Sequence, residues 1–150
     1  MIGRILNSSN GGSLNRSGAA VDEPSVAAWV ERYVRAWETN DPAEIGELFA
    51  EDARYYPEPD GEPWRGCAKI VSGWLGRKDE PGTWSFRNEI LAVAGDLAFV
   101  RGWTHYDDPP DFSNLWVIRF DAEGRCTEFT EWWMERDPSD AGGTDERDGA

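Results

Sequence analysis

The sequence predicts an α+β protein in which one curved antiparallel sheet wraps around three N-terminal helices. Up to Gly76 the apolar residues recur at helical spacing in three segments, whereas from Thr83 onward they alternate with a period of two. Helices that precede an uninterrupted run of strands are typical of α+β proteins. Because a single sheet has to cover the helices with one of its faces, we expect it to curl around them.

Two helices are predicted at the start of the folded region. Asp22 is a suitable N-cap for the first helix, and Pro24 lies in its first turn. In "DPAE", Asp41 is the N-cap of a second, short helix, with Pro42 at its first position and Glu44 closing a capping box. The apolar side chains of the first helix share one face: Val26, Val30, Tyr33, Val34 and Trp37.

A short strand, a third helix and four long strands complete the predicted domain. The short strand lies in "ARYYPEP" and is ended by prolines. The third helix ends near Gly76 and has an apolar side formed by Ile70, Val71, Trp74 and Leu75. The long strands are predicted at about 83–94, 97–106, 113–121 and 125–135. The turns between them are "AGD", "DDPPD" and "DAEG", in which Gly124 suits a left-handed backbone conformation.

The two ends of the chain differ in composition from the middle. Residues 1–21 are rich in Gly, Ser and Asn, and residues 137–150 hold five acids without apolar anchors. We therefore predict a disordered N-terminal arm, one folded domain over residues 22–136 and a disordered acidic tail.

Composition and charge argue against several classes of function. A formal net charge of −14 leaves no basic stripe for nucleic acid or an anionic membrane. No apolar run is long enough for a membrane span, and the first residues lack the apolar stretch of a signal peptide, so we expect a cytoplasmic protein. Cys67 and Cys126 are predicted to be free thiols. With one histidine and these scattered thiols, no metal site is expected.

Two stretches of the chain resemble a known superfamily. They are "NDPAEIGELFAEDARYYPEPDGEPWRG" and "VIRFDAEGRCTEFTEWW". Together with the order of helices and strands over residues 22–136, they resemble the nuclear transport factor 2-like superfamily. Within it the chain is most similar to the SnoaL-like polyketide cyclases and the ketosteroid isomerases. The resemblance implies a cystatin-like α+β roll, shaped as a cone with a deep apolar pocket, and a homodimer formed through the outer face of the sheet.

The resemblance also implies which side chains face the pocket. On the last strand these are Phe129, Glu131 and Trp133. With the same alternation on the strand that begins near Leu97, the side chains that face the pocket are Phe99, Arg101, Trp103 and His105. The other wall residues come from the first helix, the first strand, the loop at the mouth and the third long strand: Tyr33, Trp37, Tyr55, Trp64, Asn114 and Trp116. Apolar walls with a few convergent polar groups are typical of a small-molecule site, so the expected partner is a hydrophobic small molecule.

Four of these side chains are candidate catalytic residues. Glu131 is expected to act as a general acid or base, because burial raises the pKa of a carboxyl and a neighbouring Arg101 lowers it. Arg101 would set that charge or stabilise an oxyanion, Tyr33 would donate to a carbonyl, and His105 would shuttle a proton. The remaining side chains are predicted to bind the substrate: Trp37, Tyr55, Trp64, Phe99, Trp103, Asn114, Trp116, Phe129 and Trp133. Neither a cofactor nor a metal is expected.

The chain departs from the ketosteroid isomerases at two of their three catalytic positions. Their basic Asp matches Pro57, and their second acid matches Trp116. Only their tyrosine carries over, as Tyr33, so steroid isomerase chemistry is not expected.

Two interpretations of the function remain open. In the first, the protein is a cofactor-free enzyme that cyclises, isomerises or hydrates a hydrophobic, oxygenated small molecule. In the second, it is a non-catalytic ligand-binding or dimerisation module, in which Glu131 forms a structural ion pair with Arg101. The partner contact would then be formed by the outward residues of the last strands: Trp132, Thr130, Glu128 and Val117. The nine tryptophans are compatible with a lined cone and with a filled one.

Overall fold

The computed structural model describes residues 20–137 of the chain. The predicted N-terminal arm and acidic tail lie outside this range, apart from residues 20, 21 and 137, and stay predictions. The elements are, in chain order, α1 (Glu23–Thr39), α2 (Pro42–Gly46), β1 (Phe49–Tyr56), β2 (Trp64–Arg65), α3 (Cys67–Gly76), β3 (Trp84–Ala94), β4 (Leu97–Tyr106), β5 (Asp111–Phe120) and β6 (Cys126–Arg136). No helix in the described range combines the length and the apolar composition that crossing a membrane requires.

All six strands form one curved, open sheet in the order β2-β1-β6-β5-β4-β3. Neighbouring strands are antiparallel except β1 and β6, which run parallel and place Tyr55 beside Phe129. The predicted α+β architecture, with three helices and a curved sheet, is confirmed. The parallel pair matters for the site, because it brings the first strand next to the last one.

Side-chain caps set the ends of the first two helices. The Asp22 carboxylate accepts from the backbone N–H of Ser25 at 3.0 Å, and the Asp41 carboxylate accepts from that of Ala43 at 2.9 Å. The predicted capping box at α2 is wrong. The Glu44 carboxylate accepts instead from Thr39 Oγ1 at 2.6 Å, and the backbone N–H of Asp41 donates to that same hydroxyl oxygen. Gly124 has a φ of 81°, as its turn predicts.

Aromatic side chains dominate the core between α1 and the sheet face that covers it, here called the inner face. Trp29 is buried, donates from its indole N–H to the Leu48 carbonyl at 3.0 Å, and contacts the rings of Phe49 and Phe120 edge-on. Phe129 is fully buried against Trp29. This layer closes one end of the space under the sheet, so any cavity has to lie toward the other end.

The prediction of which β4 side chains face the cavity is wrong. The inner face of this strand carries Ala98, Val100, Gly102 and Thr104, and all four are buried. The physical reason is that the inner face has no space for larger side chains at this point. A Cβ on Gly102 would lie 2.4 Å from Cζ of Phe86, whose ring stacks on Trp116. Only small residues fit beneath these rings. Four larger side chains of β4 therefore face outward: Phe99, Arg101, Trp103 and His105.

Candidate functional site

A cavity of about 340 Å³ lies beside the aromatic core, between α1, the end of α3 and the inner face of the sheet. Its volume falls in the range of ordinary small-molecule sites, roughly 300–1,000 Å³. Its aromatic lining consists of Tyr33, Trp37, Tyr55, Trp64, Trp74, Tyr106, Phe112, Trp116 and Trp133. Its other lining residues are Pro57, Arg77, Lys78, Asp79, Thr104, Asn114 and Glu131. The tryptophans thus line a space and do not fill it.

Glu131 places a carboxyl group on the wall of the cavity formed by β5 and β6. It lies opposite Trp116 in the β5–β6 pair, and its Oε1 accepts from Nε1 of that tryptophan at 2.8 Å. Its Oε2 accepts from Nδ2 of Asn114 at 2.7 Å, and the amide oxygen of Asn114 accepts from Thr104 Oγ1 at 2.8 Å. Both groups that donate to the carboxylate are neutral. Within residues 20–137, Glu131 forms no ion pair with a cation.

This environment makes Glu131 a weaker acid than an exposed glutamate. Burial raises its pKa to about 7, although the hydrogen bonds from Asn114 and Trp116 favour the charged form. The side chain keeps some exposure because part of it faces the cavity. Near neutral pH, both the carboxylate and the carboxylic acid are therefore populated at a surface that a ligand can touch.

Two tyrosines form a hydroxyl pair on the same cavity. The hydroxyl oxygens of Tyr33, on α1, and Tyr55, on β1, are 2.7 Å apart. Burial is the main reason that the pKa of each phenol lies well above its ordinary value, and nearby Glu131 adds to both shifts. Both tyrosines are therefore neutral. They hold two hydroxyl protons and use one of them in their mutual hydrogen bond, which leaves one for a ligand. Phe129 stacks on both rings and fixes their orientation.

A second polar group lies at the mouth of the cavity. Oδ2 of Asp79 accepts from the indole N–H of Trp37 at 3.0 Å and from the Tyr106 hydroxyl at 2.9 Å. The Asp79 carbonyl accepts from Asn40, which in turn accepts from Trp74 at 3.3 Å. Burial, and then Asp79, raise the pKa of Tyr106. This network connects the end of α1, the segment after α3 and the end of β4 around the opening.

The structure brings most of the predicted pocket residues together. Those that line the cavity are Glu131, Tyr33, Trp37, Tyr55, Trp64, Asn114, Trp116 and Trp133. Phe129 faces the same way but is fully buried beneath the tyrosine pair, so it supports the site from behind.

The four predicted residues of β4 do not reach the cavity. Arg101 lies on the outer face, where its Nη2 is 2.6 Å from Oε2 of Glu89, so the predicted Arg101–Glu131 pair is wrong. His105 Nδ1 is 3.0 Å from Asp111 at the exposed end of the strand, and this hydrogen bond raises its pKa. Trp103 lies beneath the guanidinium of Arg101, 5.1 Å from ring centre to Cζ. Phe99 belongs to the same outer face.

Several cavity residues escaped the sequence prediction. Thr104 and Tyr106 lie on the same face of β4 as the small residues Ala98, Val100 and Gly102, which were the signal for that face. Trp74 was predicted on the apolar side of its helix but not at a site. Asp79, Arg77 and Lys78 lie in an irregular segment for which the sequence has no periodic signal.

Potential metal ligands and the two cysteines are the remaining candidates for a role at the site. In the described part of the chain, no group of three or more His, Cys, Asp and Glu side chains is placed to hold a metal ion. Cys67 and Cys126 are free thiols, as predicted.

Comparison with known proteins identifies the family. The model of the SnoaL-like domain matches residues 30–129, which is well over half of the chain. This chain belongs to the SnoaL-like domain family. No curated protein matches it.

Solved structures share the fold of this SnoaL-like chain. A putative ketosteroid isomerase from Kribbella flavida DSM 17836 is similar with a TM-score of 0.60 and 21% identity, over 77% of this chain and 82% of that one. A protein with a cystatin-like fold from Silicibacter pomeroyi DSS-3 has a TM-score of 0.55 and 20% identity, over 71% and 73%. A LEH-like epoxide hydrolase from M. tuberculosis has a TM-score of 0.53 and 16% identity, over 74% and 84%. At these identities the likeness shows the fold alone.

Pro57 and Trp116 both line the cavity, and Trp116 donates to Glu131. Two carboxyl groups lie on the cavity, Glu131 on β6 and Asp79 after α3.

Proposed function

We propose that this SnoaL-like protein binds a hydrophobic, oxygenated small molecule in the cavity and that Glu131 exchanges a proton with it, without a cofactor. The observation that carries the proposal is the position of Glu131. Its carboxyl faces an aromatic cavity, accepts only from neutral donors, and has a pKa raised to about 7 by burial. A group whose pKa lies near the working pH is an efficient general acid or base.

The tyrosine pair supplies the complementary function. In an isomerisation, the Glu131 carboxylate removes a proton from the carbon next to a carbonyl, and the electron pair moves to the carbonyl oxygen. The free hydroxyl proton of the Tyr33–Tyr55 pair stabilises that oxygen by a hydrogen bond. Glu131 then returns the proton to another carbon of the same molecule. In an aldol cyclisation the enolate attacks a second carbonyl instead, and Glu131 protonates the new alkoxide. Arg101 and His105 have no part, since they lie on the outer face.

The Asn114 side chain is suited to both protonation states of Glu131. Its amide N–H donates to the carboxylate, and its oxygen accepts from Thr104. A flip of this amide presents the oxygen to protonated Glu131, and the Thr104 hydroxyl then accepts from the amide nitrogen. The wall thus keeps its hydrogen bonds as the proton moves.

A ligand screen with a matched pair of variants tests the proposal. Wild type, Glu131→Gln and Glu135→Gln are screened by thermal shift against enones, anthraquinone-like polyketides and terpene epoxides. Glu135 is an exposed residue of the same strand outside the cavity, so its substitution controls for the change in charge. A ligand at a hundred times its Kd stabilises the fold by about 2.7 kcal/mol. We expect hits that Glu131→Gln alone weakens, and turnover of some of them that Glu131→Gln abolishes. A wild type that no compound stabilises would contradict the proposal.

The outer face of the sheet supports a second proposal, that two copies of the chain associate through it. Trp132 is 50% exposed and Met134 is 70% exposed, and with Leu115 they line a groove beside residues 58–61. Large apolar side chains gathered on one exposed face mark an interaction surface. Sedimentation equilibrium should show a dimer for the wild type and a monomer for Trp132→Lys. A wild type that is monomeric at high micromolar concentration would refute the dimer. Association without turnover would favour the non-catalytic module.

A further inference from the structure

Two cations lie at the mouth of the cavity. Arg77 and Lys78 follow α3 directly, are exposed, and line the cavity. Within residues 20–137 neither forms an ion pair with a carboxylate. In a chain with a net charge of −14, Arg77 and Lys78 are the two cations among the described residues that line this cavity.

The charge of Arg77 acts on the interior of the cavity. Burial and then Glu131 raise the pKa of Tyr55, and the positive charge of Arg77 opposes this shift. Arg77 also lines the cavity, so its guanidinium can interact with a charge placed inside the opening.

The neighbouring carboxylate does not neutralise this pair. Asp79 Oδ2 accepts from Trp37 and Tyr106, and within residues 20–137 Asp79 forms no salt bridge with Arg77 or Lys78. The opening therefore carries two positive charges against one negative charge, while the other carboxyl of the cavity, Glu131, belongs to the β5–β6 wall.

We propose that the cavity takes a ligand whose aromatic or alicyclic body carries a carboxylate, with that carboxylate held at the mouth by Arg77 and Lys78. The arginine offers two parallel N–H donors to a carboxylate and the lysine a point charge. The body of the ligand then lies between the rings of Trp37, Trp64 and Trp133, and its far end reaches Glu131 and the tyrosine pair. The inference rests on the proposed function of the cavity and adds the class and the orientation of the ligand.

Matched pairs of ligands, each an acid and its methyl ester, separate this inference from the proposed function. The first pair is 2-naphthoate and methyl 2-naphthoate, titrated into the full-length protein by isothermal calorimetry at low and high salt. We expect the acid to bind more tightly than the ester, and added salt to reduce this preference. Because exposed ion pairs contribute modestly, Arg77→Gln and Lys78→Gln should each weaken the acid by about three- to fivefold and leave the ester unchanged.

Lys69→Gln is the control variant, because it removes one positive charge from α3 outside the cavity. It should leave both ligands unaffected. If wild type binds acid and ester equally, the inference is overturned and the proposed function stands. If wild type binds neither member of any acid–ester pair, the proposed function is overturned together with the inference. If Arg77→Gln and Lys78→Gln weaken acid and ester alike and lower the Tm of the free protein, the two cations only stabilise the C-terminal end of α3. The inference is then also overturned.

Discussion

Replacing Glu131 by Gln should make the stability of the protein less dependent on pH, and the size of the effect follows from its environment. Burial raises the folded-state pKa of Glu131 from 4.5 to about 7. The folded protein therefore holds the proton more tightly than the unfolded chain. The stabilisation from this group is fully present below the unfolded pKa and is lost as the pH rises through 7. Between pH 5 and pH 8 the loss is about 2.5 kcal/mol.

Glutamine carries no charge at any of these pH values, so Glu131→Gln lacks this loss. Relative to wild type, the variant should gain about 2.5 kcal/mol in its free energy of unfolding between pH 5 and pH 8. Urea unfolding followed by tryptophan fluorescence at intervals of one pH unit measures the difference. Other titrating pairs, such as His105 and Asp111, are present in both proteins and cancel.

The matched control for this experiment is Glu135→Gln, an exposed substitution on the same strand. Its stability profile should run parallel to that of the wild type. A Glu131→Gln profile that also runs parallel to the wild type, or a variant that loses stability relative to wild type as the pH rises, would refute the reasoning. Glu131 would then be a carboxylate stabilised by its two neutral donors.

Three further predictions concern the walls of the cavity and the face opposite to it. Gly102→Ala places a Cβ 2.4 Å from the ring of Phe86 and should destabilise the fold by about 1–3 kcal/mol in urea unfolding, and an unchanged midpoint would contradict the packing described for β4. Tyr33→Phe removes one partner of the 2.7 Å hydroxyl pair and should cost about 1 kcal/mol of stability. It should also weaken carbonyl ligands in calorimetry but not hydrocarbons of the same shape, and equal weakening of both would contradict a hydroxyl role. Arg101→Ala should leave ligand binding unchanged and alter stability by less than about 1 kcal/mol, because its ion pair is exposed on the outer face, and a loss of binding would restore the role predicted for it from sequence.

The order and type of the elements were accessible from sequence because periodicity and capping are local properties. Asp22 and Asp41 cap the helices that they were predicted to cap. The change from helical spacing to a period of two after Gly76 coincides with the change from helices to strands. The prediction of which β5 and β6 side chains face inward was also correct, and it placed Asn114, Trp116 and Glu131 on one surface.

The side chains of β4 that face the cavity could not be predicted from the sequence in the same way. The outward residues of this strand include Phe99 and Trp103, whereas its inner face is made of small residues such as Gly102. The alternation carried over from the last strand under the family resemblance put Phe99 and Trp103 inside. The space above Gly102, however, is filled by a ring from β3, and only the assembled sheet shows which strand supplies the bulk at each point. This is why Arg101 and His105 were assigned to a cavity that they do not reach.

The mouth of the cavity depends on tertiary contacts alone. Asp79 becomes significant because α1 supplies Trp37 and β4 supplies Tyr106 as its donors, and these residues are far apart in the chain. No spacing rule connects them. The same holds for the Tyr33–Tyr55 pair, whose members were each predicted to face the pocket but whose hydrogen bond requires the packing of α1 on β1.

The proton equilibrium of Glu131 is the most direct test of the account. Glutamate labelled with ¹³C at the side-chain carboxyl allows each group to be titrated individually by NMR in the free protein. We expect one resonance to titrate near pH 7 and to be missing from the spectrum of Glu131→Gln. An aromatic carboxylate such as 2-naphthoate should shift this titration further, if the ligand lies in the same cavity. If every glutamate titrates below about pH 5.5, Glu131 is an ordinary carboxylate and the proposed acid–base function is wrong.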